Sequence, residues 1–400
     1  MAIDPIKKAI SEKACKPWQD PKSSLPSGRP YPKRFEKMRN DPDLPSYPPL
    51  FFVRITQKIR FFFLRMNRRF THPNVVMWEM AHNMWLAAGI SVAAELGIAD
   101  LLKEGPESIE NLAAQTSTHS ASLYRTMRML ASHGIFREMK GRKFKSTPLA
   151  RPLEDDQIRY LILLHLNRNQ FRLFGDLMDS VKTGKTVLKE HSGKALFEHF
   201  ANDPQKNEWF NRAMSSASRM QIPVLLSAFS FKGYRKIIGI GGGEGLFLPH
   251  ILSGAPKSKG LLLDLPTVVA GSPEIREGFS LGGRMEILEG DFFKSVPEGG
   301  DLYILKSILH DWDDELSKKI LGNVHQAMPP KSRLLIIEAV LDEGNLPSYG
   351  KMTDILMMVA AGGKERTLSQ WENLLSTSAF RIRKIHPTIS HQSIIEVVKI

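Results

Sequence analysis

From Tyr234 onward, short runs of β-branched and aliphatic residues alternate with segments of helical period, the pattern of a parallel α/β sheet. An apolar strand runs into the glycines of Arg235–Gly245, and further strands are predicted over Gly260–Leu263, Met285–Leu288, Asp301–Lys306 and from Arg333 to Glu338. The preceding half reads as helical. Asn74 to about Leu102 is apolar on nearly every side, so it requires burial against something larger. A helix from Ile109, a polar turn near Thr116–His119, a second helix over Ser120–Ser132 and a hairpin across Met139–Lys143 spell a winged helix-turn-helix unit. Helical signals at Tyr160–Leu166, Phe171–Val181 and Trp209–Ala228 then lead into the sheet.

The first 75 residues differ in kind. Ten of the 25 prolines fall within residues 1–49, a density that blocks helix interiors and sheet ladders and predicts an extended arm. Residues 51–70 contain six basic side chains and no acidic one. At about 100° per residue, Arg54, Lys58, Arg65 and Arg69 share one helical face, and Ile55, Ile59, Phe62, Met66 and Phe70 share the next. Such a helix suits either an anionic membrane surface or the face of a partner subunit.

Charge sharpens this division. The formal net charge is +13, of which residues 1–75 carry +10, with 16 Lys/Arg against 6 Asp/Glu. A body that bound nucleic acid would be expected to hold its basic surplus itself, so no nucleic-acid partner is expected. Cys15 is the single cysteine, which excludes a disulfide framework and any multi-thiolate metal site. No run approaches the ~20 apolar residues of a membrane span. The expectation is a cytoplasmic protein, with residues 51–70 offering a peripheral membrane contact.

Chemistry collects where the strands end. The glycines after Ile240 permit a tight turn and close ligand approach, and Asp264 follows about 20 residues later at the end of the next strand, where a carboxylate can accept both hydroxyls of a ribose. Gly290-Asp291-Phe292-Phe293 sets an acid beside aromatic surface, suited to a purine amine and ring. Asp301–Lys306 leads into His310-Asp311-Trp312-Asp313-Asp314, and the next strand closes with Glu338. Parallel strands deliver their last residues to one edge, so these groups should converge there. Asp313 and Asp314 are expected to cap the helix beginning near Glu315.

GGGEG, LLLDLP, GDFF, LKSILHDWDDE and GGKERT, in this order and spacing, resemble the class I S-adenosylmethionine-dependent O-methyltransferases of the plant caffeate and animal acetylserotonin type, which include bacterial members. The resemblance spans roughly residues 75–400. It implies a Rossmann-like methyltransferase sheet preceded by a helical winged-helix domain that serves dimerisation. Residues 1–75, 76–185 and 186–400 then form the arm with its amphipathic helix, the dimerisation domain, and the linker with the methyltransferase domain. The cofactor would be S-adenosyl-L-methionine, held by Gly241, Gly243, Asp264 and Leu265, with Asp291 and Phe292 at the adenine and Lys306 against it. His310 falls on the family's general base, and Glu338 and Glu365 on the carboxylates that hold it. The family usually has an acid two positions before its glycine run, where this chain has Gly239.

Those residue types suit the reaction. Methyl transfer from a sulfonium is an in-line displacement, and a hydroxyl with a pKa of ~10 needs a base whose own pKa lies near ~6.5, as an imidazole provides. No metal is required and no metal motif is present in the sequence. Phe210, Met214, Trp312 and Met358, with the segment around Phe171, are candidates for an acceptor pocket suited to a small aromatic or lipophilic molecule. The alternatives are a thiol or other nucleophile as acceptor, a ligand-sensing winged-helix DNA-binding regulator, and a catalytically silent partner subunit.

Overall fold

The computed structural model describes residues 50–154, 158–201, 204–269 and 281–400. The Pro-rich arm expected over residues 1–49 lies outside the described residues.

Helix α1 (Leu50–Phe70) is the expected basic amphipathic helix, and its apolar stripe is open: Phe51, Phe52, Ile55, Ile59, Phe62, Phe63 and Phe70 are all exposed. His72 ends the break that follows, its Nδ1 accepting from Asn74 N–H, and Pro73 starts α2 (Pro73–Glu95) with a φ preset for a helix. The first half of α2 exposes Met77, Trp78, Met84 and Trp85, while its second half buries Ala93 and Ala94 in the N-terminal core. A helix apolar on all sides but covered on only one end is built to be covered by something else.

Helix α3 (Ile109–Gln115), capped by Ser108, and α4 (Ser120–Ser132) make the helix-turn-helix. Leu123, Met127 and Leu130 form the buried stripe of α4. The wing holds one more strand than the sequence predicted: β1 (Glu107–Ser108) pairs with β3 (Lys143–Ser146), which pairs with β2 (Phe136–Met139). A two-residue strand is too short to show any period. Beyond it, α5 (Arg159–Leu166) packs on the long α6 (Pro204–Ala228). The helix expected over Phe171–Val181 is broken at Asp176 into Arg168–Gly175 and Leu177–Thr183.

The second sheet has the order β10-β11-β8-β7-β4-β5-β6, with β4 (Lys236–Ile240), β5 (Lys259–Asp264), β6 (Met285–Glu289), β7 (Leu302–Lys306) and β8 (Arg333–Leu341) parallel. It is not wholly parallel as expected. β11 (Gln392–Lys399) runs antiparallel to β8, and β10 (Phe380–Pro387) antiparallel to β11. Helices α7 (Phe247–Gly254), α8 (Asp314–Ala327), α9 (Tyr349–Leu356) and α10 (Leu368–Ser376) lie between the strands in sequence, and α8 and α10 contribute Ile320, Leu321, Val324 and Trp371 to the main core. Strand order reverses between β4 and β7, so the crevice at their carboxyl ends is the switch point where such sheets bind ligands. β8 runs past Glu338 to Leu341, while β7 ends level with Ile337, so Glu338 stands just above its neighbour's last residue.

Candidate active site

The glycine turn is built for close approach. Gly241 has φ +64°, donates its N–H to Leu263 O at 2.8 Å, and has no room for a Cβ, which would lie 2.4 Å from Ile308 Cδ1 and 3.3 Å from Phe292. Gly243, also at φ +64°, has open space in place of a side chain. Asp264, buried at the end of β5, accepts Gly243 N–H on Oδ2 and Leu265 N–H on Oδ1, both at 2.8 Å. Burial pushes its carboxyl up to about 6 against the opposing pull of these two bonds. Each oxygen keeps a spare lone pair, so the pair can still receive a diol. Asp291 is fixed by Phe293 N–H at 2.9 Å, and Phe292 lies beside Gly241. Lys306 reaches Ser218 Oγ at 3.3 Å, and burial lowers its ammonium to about 8 while Glu338 pulls it back. An open glycine cradle with a buried carboxylate beside it fits the nucleoside end of S-adenosylmethionine.

His310, Glu338 and Glu365 are brought together across 55 residues of sequence. His310 Nδ1 lies 3.0 Å from Glu365 Oε1 and 3.7 Å from Glu338 Oε2, and its Nε2 lies 3.6 Å from Asp311 Oδ1. Glu338 Oε1 accepts the N–H groups of Ile308 and Leu309 at 2.8 and 3.0 Å, so one carboxylate both shapes the turn and faces the ring. Glu365 Oε1 also accepts from Thr353 Oγ1 at 3.0 Å. Oε2 of Glu338 and Oε2 of Glu365 are buried with no hydrogen-bond partner. Burial alone would push the imidazole down, but Glu338, Asp311 and Glu365 more than offset it and hold the ring up at about 10. Burial also raises Glu338 and Asp311. Ligand-type atoms of His310, Glu338 and Glu365, the three residues the resemblance groups, fall within 4.8 Å of one another, a spacing that can also hold a metal. Here Nδ1 is already hydrogen-bonded to Glu365, which suits a proton network.

Several neighbours had no signal in the sequence pattern. Gly363 lets its loop close on the histidine turn: a Cβ there would sit 1.9 Å from His310 O. Arg366, fully buried, donates to Leu309 O at 2.9 Å and Trp312 O at 3.0 Å and pairs with Asp314 at 2.9 Å. Glu365 is therefore not engaged by its sequence neighbours, because Lys364 and Arg366 both turn to Asp314. Asp313 caps α8 as expected, accepting Leu316 N–H at 2.8 Å, but Asp314 serves as this bridge and not as a cap. Ser307, at φ +53°, holds a strained bend before the histidine and accepts from Gln392 Nε2.

An aromatic wall adjoins this turn. Trp312 stacks on Phe197 at 5.6 Å and meets Phe293 edge-on at 4.8 Å, while Phe210 stacks on Phe200 at 4.6 Å and lies 6.2 Å from Phe197. The structure thus joins two of the four pocket candidates, Trp312 and Phe210, through the unforeseen Phe197 and Phe200. Their three-residue spacing on the short helix Leu196–Ala201 was the available signal. Met214, on α6, and Met358 are half-buried.

A doubly wound sheet that gathers a glycine turn, a nucleoside-type aspartate and a carboxylate-held histidine at one switch point defines the class of a nucleoside-cofactor transferase. Comparison with known proteins gives the family. Residues 174–381 match the O-methyltransferase domain and residues 78–154 the O-methyltransferase dimerisation domain. The chain is 36% identical to the phenazine O-methyltransferase PhzM of Lysobacter antibioticus, over 80% of this chain and 95% of that one. It is 34% identical to the mitomycin biosynthesis 6-O-methyltransferase of Streptomyces lavendulae, over 77% and 89%. Human N-acetylserotonin methyltransferase, solved in complex with S-adenosylmethionine, superposes with a TM-score of 0.75 at 26% identity, covering 82% of this chain and 98% of that one. The chain belongs to the S-adenosylmethionine-dependent O-methyltransferase family, and its winged unit is that family's dimerisation domain.

Proposed function

We propose that this enzyme methylates a hydroxyl on a small aromatic acceptor, with His310 as the base that takes the hydroxyl proton. The observation that carries this is His310 Nδ1 at 3.0 Å from the buried Glu365, next to the Trp312–Phe197 stack. S-adenosylmethionine supplies an electrophilic methyl on a sulfonium. Gly241, Gly243, Asp264 and Leu265 hold its nucleoside, Asp291 and Phe292 flank the adenine, and Lys306 closes the inner end. The aromatic wall supplies the flat surface on which a ring lies, and the phenazine named for the Lysobacter relative favours such an acceptor. Three carboxylates around the imidazole raise its proton affinity, so His310 keeps its proton at neutral pH. The sulfonium of a bound S-adenosylmethionine would bring a positive charge into this site and so would lower that affinity. Glu365 then orients the neutral ring and stabilises it again once it has taken the acceptor's proton.

Incubation with methyl-labelled S-adenosylmethionine and a panel of phenols, hydroxylated polycycles, thiols and aliphatic alcohols tests this reading. Label should pass to aromatic hydroxyls, and His310→Ala should lower kcat by about 10²- to 10⁴-fold. Transfer to thiols only, or full turnover by the variant, rejects it.

The dimerisation domain supports a homodimer, and its seam in this reading is the open half of α2, with domain boundaries kept near 75 and 185 as the sequence pattern suggests. Among the described residues no helix is long and apolar enough to cross a membrane. α1 precedes both family matches, and its open stripe flanked by cations suits peripheral contact with an anionic bilayer. Full-length protein that pellets with anionic but not zwitterionic vesicles, and loses this on removal of residues 1–70, supports that contact. Equal pelleting with a lower mass for the truncated protein assigns the stripe to the partner subunit.

A further inference from the structure

We infer that Glu244, backed by Ser215, is the residue that holds the α-ammonium of the cofactor's amino-acid end. The inference rests on the cofactor being S-adenosylmethionine, whose sulfonium carries a zwitterionic amino acid on one side and a nucleoside on the other. An ammonium brought out of water needs an anion or several acceptors beside it. The strand that leads into the glycine turn supplies none: Gly239, on β4 between β5 and β7, has no side chain, and a Cβ there would meet only the apolar Leu262 and Leu248 side chains and the Leu261 carbonyl at 3.7 to 4.0 Å.

The other carboxylates at this edge have work that leads elsewhere. Asp264 accepts from Gly243 N–H of the turn and from Leu265 N–H just after β5. Asp291 is fixed on Phe293 N–H at the β6 side. Asp311, Glu338 and Glu365 surround His310. Glu244 is different in position. It sits one residue after Gly243, whose N–H binds Asp264, and its Oε2 accepts from Ser215 Oγ on α6 at 2.7 Å. Three residues along the same helix, Ser218 meets Lys306 at the end of β7. One turn of α6 therefore bonds both to the loop after β4, through Ser215 and Glu244, and to the end of the neighbouring β7, through Ser218 and Lys306. Half-buried in the glycine turn and bonded to Ser215 of α6, Glu244 carries a carboxylate beside the glycines expected to hold the cofactor. Glu244 thus stands in for the acid that Gly239 lacks.

Calorimetric titration with two ligands tests the assignment. S-adenosylhomocysteine carries the amino-acid end, whereas 5′-methylthioadenosine has the same nucleoside and sulfur without it. Glu244→Gln should weaken S-adenosylhomocysteine by about tenfold to hundredfold, the worth of one charge-assisted hydrogen bond, and leave 5′-methylthioadenosine unchanged. Asp264→Asn should weaken both. Equal S-adenosylhomocysteine affinity in wild type and Glu244→Gln overturns the inference, and so does parallel loss of both ligands, which would make Glu244 part of the turn's framework. Wild-type protein that binds neither ligand would instead defeat the cofactor reading itself.

Discussion

Replacing Glu365 by Gln removes one charge from the histidine cluster and almost nothing else. The amide keeps the volume and one carbonyl oxygen, so either Thr353 or His310 can still be bonded where Glu365 Oε1 now serves both at 3.0 Å. What disappears is the charge assistance to the imidazolium. A hydrogen bond to a charged group is worth ~1.5 to 3 kcal/mol, which corresponds to about one to two pKa units. His310, held up at about 10 by three carboxylates, should therefore titrate about one to two units lower in the variant. Imidazole NMR on protein labelled at histidine Cε1, with His310→Asn to assign the resonance, reads this directly. The rate must follow with a defined sign. A base works only when deprotonated, so kcat/KM rises with pH as His310 loses its proton, and in Glu365→Gln that rise should move to lower pH by the same amount. The plateau should nevertheless fall by about 10- to 100-fold, because the ring loses the partner that orients it and stabilises the imidazolium. A His310 titration that stays at its wild-type midpoint, with an unshifted rate profile, would refute the reasoning.

Other consequences follow from the same geometry. Because burial lifts Asp264 to about 6, cofactor affinity should fall as pH drops below that value, and Asp264→Asn should bind weakly at every pH, as calorimetry between pH 5 and 8 can show. Gly363→Ala must push its loop off the His310 backbone. A cost of ~1 to 3 kcal/mol is expected in thermal or denaturant unfolding, together with lost turnover. Arg366→Met leaves the carbonyls of Leu309 and Trp312 with only the longer bonds from Ser317 Oγ, at 3.3 and 3.4 Å, and Asp314 with Lys364 alone. Loss of these buried donors should cost ~1 to 3 kcal/mol, and unfolding at wild-type denaturant concentrations would contradict the role.

The linear sequence determined which groups reach the sheet edge, because a strand's end fixes where the next residue goes. Strand periodicity placed Gly241, Asp264, Asp291, Lys306 and His310 there without any contact being known. The same local logic gave the helix-turn-helix, whose α4 stripe of Leu123, Met127 and Leu130 follows helical spacing, and the Asp313 cap, which depends only on the residues just after it. Tertiary structure decided what those groups touch. Glu365 meets His310 only because Gly363 lets one loop lie on another and because Arg366 and Lys364 are drawn off to Asp314. The elevated imidazole pKa, the two antiparallel strands on the sheet's far side, and the bond from Glu244 to Ser215 likewise join residues distant in the chain. Period and spacing report the backbone's local geometry, whereas hydrogen bonds and electric fields act through space, and only folding sets those distances.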